Sequence, residues 1–139
     1  MENIDDFNRG VGLFLGRLYQ SFPVPILLKM EDMEGFEDVS GDLTRKARRM
    51  VVYSATMHFL QNDGFLSFGS SVGFKENDAF AKVVLTSKGL AALSKTPSAL
   101  STSTRGKTTG DVLVDLGSDM LKKGAWEGVT EIVRMMLGG

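Results

Sequence analysis

Apolar residues recur at Phe7, Val11, Phe14, Leu15, Leu18 and Phe22, a spacing that gathers all of them on one side of a helix from Asp5 to Phe22. A helix so one-sided has to be covered by something else in the chain, and the other elements must supply that cover. Pro23 stops it, since its ring disfavours helical geometry at Phe22, and Pro25 keeps the next residues extended. A short strand is therefore expected over Ile26 to Leu28.

Lys29 to Asp42 mixes acids and glycine with Met30, Met33, Phe36 and Val39 as apolar anchors, and reads as a loop with one helical turn. A second long helix is expected from about Asp42 to Gln61. Asp42 or Thr44 is placed to accept its first free backbone N–H groups, and Asn62, Asp63 and Gly64 end it. Phe65 to Phe68 and Ala79 to Leu85 read as the strands of a hairpin whose long tip, Gly69 to Asn77, is rich in glycine, serine and charge. Thr86 is the expected N-cap of a short helix, Ser87 to Leu93, closed by Thr96 and Pro97. Residues 98–110 have the Ser, Thr and Gly content of a linker. Helical periodicity returns from Asp111 to Leu137, as one long helix or two shorter ones broken near Gly124. The chain thus divides into an expected domain over 1–97, a linker over 98–110 and an amphipathic helical segment over 111–139.

A length of 139 residues with 42% hydrophobic content suits one globular domain with a real core. The absence of cysteine removes disulfides, thiolate nucleophiles and sulfur-built zinc sites, and it fits a reducing compartment, so the expected location is the cytoplasm. The opening from Met1 to Asp6 is acidic where a secretory signal is basic, and no run approaches the roughly 18 uninterrupted apolar residues of a spanning helix. A net charge of -1 gives the chain as a whole little attraction for a polyanion, so any nucleic-acid contact has to be local.

Two stretches carry a resemblance. Met57-His58-Phe59-Leu60-Gln61-Asn62-Asp63-Gly64-Phe65-Leu66 looks like a helix-to-wing corner, and Val84-Leu85-Thr86-Ser87-Lys88-Gly89-Leu90 like the strand-to-helix corner after a wing. In that order, over about residues 4 to 97, the chain resembles the winged-helix family, including small bacterial and phage proteins with a long first helix. The implied fold is α+β: a winged-helix-like core of helix, short strand, long helix, two-stranded wing and short helix, followed by a linker and a C-terminal amphipathic helix. The family carries a distinct helix before its recognition helix. Here Lys29 to Gly41 offers little more than a turn, which counts against a conventional DNA-reading geometry.

Arg45, Lys46, Arg48 and Arg49 cluster in the first turns of the second helix, the element that enters the major groove in winged-helix DNA binders. They are candidate phosphate contacts, or else a solvated helix start. The rest of that helix carries Met50, Val51, Val52, Tyr53, Ala55, Met57, Phe59 and Leu60, apolar on nearly every side, which predicts cover on two faces. The wing's Lys75, Glu76 and Asp78 nearly cancel in charge, where a minor-groove wing would favour Arg and Lys. His58 is the sole histidine, lies among apolar neighbours and reads as a core or boundary residue. No metal ligand set or nucleophile-base pair can be assembled around it. No glycine pattern matches a nucleotide loop, so neither cofactor nor small-molecule substrate is implied.

In the C-terminal segment Leu113, Gly117, Met120, Leu121, Gly124, Gly128, Ile132 and Met135 share one broad helical face. Glycine inside a helix costs about 1 kcal/mol against alanine, so glycines on such a face suggest a backbone brought close to another surface. Gly12 and Gly16 of the first helix form a matching small pair. The two helices are expected to meet there, either within one chain or across a homo-oligomer. The expected function is a non-catalytic winged-helix interaction or adaptor module that self-associates through its first and last helices. The alternative is a small DNA-binding regulator using Arg45, Lys46, Arg48 and Arg49. An enzyme and a membrane-surface binder rank below both.

Overall fold

The computed structural model of the chain describes residues 2–30, 41–72, 79–95, 108–118 and 132–137. Their order is α1 (Glu2–Ser21), β1 (Ile26–Lys29), α2 (Leu43–Asn62), β2 (Leu66–Ser67), β3 (Ser70–Val72), β4 (Ala79–Leu85), α3 (Ser87–Ser94) and α4 (Thr109–Ser118). A further helical stretch, α5, covers 132–137. The fold is α+β. Residues 31–40 of the expected loop, 73–77 of the expected hairpin tip, 98–107 of the expected linker and the break near Gly124 lie outside the described residues, whereas Ser70–Val72, expected within the tip, form a strand and Thr109 and Gly110, expected as linker, begin a helix.

β4 is the centre of a small antiparallel sheet. It pairs with β1 through Leu28 and Phe80, and on its other edge with β2 through Leu66 and Leu85 and with β3 through Ser71 and Phe80. The β2 and β3 pairs keep one register, so they are two parts of one interrupted strand, and the sheet has three strands in effect. At the interruption the Phe68 N–H donates to Gln61 Oε1 at 2.7 Å and the Gly69 N–H to the Ala81 carbonyl at 2.9 Å, which keeps the freed backbone groups satisfied. Against β1 the register shifts between Ile26 and Leu28, and Lys82 on β4 takes a left-handed φ of 56°. This bulge moves the alternation by one residue. Phe80 before it and Val83 and Leu85 after it consequently all face the core.

α1 runs through the middle of the molecule rather than along one side. Its expected stripe is buried at Val11, Phe14, Leu15 and Leu18, but so is every residue from Gly10 to Gly16. The reason is α4, which covers the back of α1, where the Gly16 backbone lies so close that an added Cβ would sit 3.3 Å from the Leu113 carbonyl group. α4 begins at Thr109, two residues earlier than periodicity places it. The Thr108 N–H donates to Asp111 Oδ2 and the Asp111 N–H to Thr108 Oγ1, a reciprocal cap. The Thr109 N–H and hydroxyl both donate to the Lys95 carbonyl, tying α4 to the end of α3.

The remaining ends follow the local chemistry of the sequence. Asp42 caps α2 through the Arg45 N–H at 3.1 Å, and α2 stops at Asp63 and Gly64, the latter at φ 87° where glycine is unstrained. Thr86 caps α3 through the Gly89 N–H at 3.1 Å, while its own hydroxyl donates to the Gly64 carbonyl.

Candidate interaction surface

The rotational setting of α2 decides what the molecule shows to solvent. Its inner face is Arg49, Tyr53, Thr56, Met57 and Leu60. Tyr53 meets Phe14 of α1 edge-on with ring centroids 5.5 Å apart. One turn earlier, Arg49 Nε donates to Asp6 Oδ1 at 2.8 Å, with 2% and 3% of the two side chains exposed. A charged pair this dry tolerates no rotation of the helix, because turning it would bury each charge without its partner.

With that face fixed inward, the row Leu43, Ala47, Val51, Ala55 and Phe59 comes to the outside. These residues are spaced by four and all are exposed, Leu43 at 80%, Val51 at 68% and Phe59 at 43%. At about 100° per residue, Val51 lies opposite Tyr53 and Leu60. Phe59 is held by an edge contact to Phe7, ring centroids 5.1 Å apart, so the far end of the row is rigid while still open. The expectation that α2 is covered on two faces holds in part: α1 covers the inner face, the sheet meets the half-buried His58 through Phe68 and Phe80, and the row from Leu43 to Phe59 stays exposed. Scattered apolar residues on a surface are ordinary, whereas an apolar row along one helix is a candidate surface for association.

The basic cluster does not act as a unit. Arg45 and Arg48 are exposed and Lys46 half-buried, whereas Arg49 points into the core and is withdrawn from the candidate phosphate contacts by Asp6. Sequence reasoning missed this pair. Its signal was present: Arg49 shares a helical face with Tyr53 and Leu60, and Asp6 shares one with Gly10 and Leu13, while Arg48 and Asp5 do not.

The glycine-bearing face is brought together within the chain at Gly16 and Leu113, and Gly12 and Ile132 are buried with them. Met135 is 39% exposed, so it leaves the face expected of it, and Val133 is buried instead. Gly117 lies in α4, and Met120, Leu121, Gly124 and Gly128 lie outside the described residues. His58 is half-buried and edge-on to Phe68 and Phe80, each at a centroid distance of 5.5 Å.

Among the described residues no group of three or more His, Asp or Glu side chains is arranged to hold a metal ion, and no helix is long and apolar enough to cross a membrane. Neither a protein-family model, nor a curated protein, nor a solved structure matches the chain.

Proposed function

We propose that this chain is a non-catalytic protein-interaction module whose docking element is the outer ridge of α2. The observation that carries this reading is the exposed apolar row Leu43, Ala47, Val51, Ala55 and Phe59 on a helix locked from behind by the Asp6–Arg49 pair. A helix that cannot turn its apolar row inward gains by burying it against another protein. The winged-helix resemblance is supported by the sheet order β1, β4, β2 with α2 preceding the hairpin and α3 following it. The cysteine-free composition supports a cytoplasmic module.

A photo-crosslinking amino acid placed at Val51 and activated in living cells tests the reading. The expected result is a protein adduct, with none from the same probe at Ser87, an exposed position on α3. No adduct at Val51 overturns it.

A second reading, DNA binding, is favoured by the exposure of Arg45 and Arg48 at the start of α2. It requires duplex affinity that falls steeply with salt and is lost in Arg45→Glu/Arg48→Glu. An unchanged affinity in that variant sinks it.

A further inference from the structure

We draw no further inference here: the strongest candidate, the exposed apolar row from Leu43 to Phe59 on α2, belongs to the surface already described, and nothing in the structure shows what covers it.

Discussion

Removing one member of the Asp6–Arg49 pair takes a directly bonded partner from a charge buried beside α1. Asp6→Ala is therefore expected to cost about 3–5 kcal/mol, read from urea denaturation, while Asp6→Leu/Arg49→Met returns stability to the wild-type level or above. A double variant no more stable than Asp6→Ala would show that the pair is held by more than its charges. Lys82 offers the opposite sign. Its φ of 56° is a conformation that glycine adopts without penalty, so Lys82→Gly is expected to raise stability by up to about 1 kcal/mol with the sheet register kept. Neither residue is singled out by composition. Arg49 sits in a run of cations that composition treats alike, and a bulge at Lys82 depends on pairing to β1 that no local pattern encodes. The helical wheel alone separates Arg49 from Arg48, because one shares its face with Tyr53 and the other does not.

At the level of elements, the corner joining α2, β4 and α3 concentrates the most local information. Thr86 is legible as a cap because a hydroxyl before a helix can satisfy only nearby N–H groups, and Thr86→Ala is expected to cost about 1 kcal/mol for that role. Gly89 stands in the sequence only as part of the strand-to-helix corner. In the fold it is where α3 presses on the Phe65 carbonyl, and an added Cβ would overlap that oxygen. The same carbonyl accepts the Thr86 N–H, so the strand cannot move away without breaking the corner. Gly89→Ala is accordingly expected to cost at least about 2 kcal/mol, more than the loss of the cap, and a thermal melt of the two variants side by side orders them. The caps and the ends of the second and third helices were legible because they are set within a few residues. The rotation of α2 was not, because its apolar residues lie nearly all round, and only a charge on α1 decides which of them face water.

For the molecule as a whole, the question is whether α4 and α5 complete the core or decorate it. The linker composition of 98–110 argues for decoration, since a Ser- and Thr-rich tether costs little to order or release. The packing argues for completion. Leu113, Ile132 and Val133 are each about 1% exposed, Gly16 touches the α4 backbone, and the Tyr19 hydroxyl hydrogen-bonds Thr108 Oγ1 at 3.0 Å. Burying three such side chains contributes about 1.5–3 kcal/mol each, comparable with the whole stability of about 5–15 kcal/mol expected of a domain. A chain ending at Lys95 would keep α2, the sheet and the exposed row of α2 but would open the back of α1. It is expected to lose cooperative thermal unfolding and to bind a hydrophobic dye, whereas Val51→Glu on the full chain does neither. The contrast separates the two apolar surfaces of the molecule: the one on α1 is consumed by the chain's own C-terminal helices, and the one on α2 stays exposed. A truncated chain that melts cooperatively at the wild-type temperature would detach α4 from the core and leave the Gly16 face open to association once more.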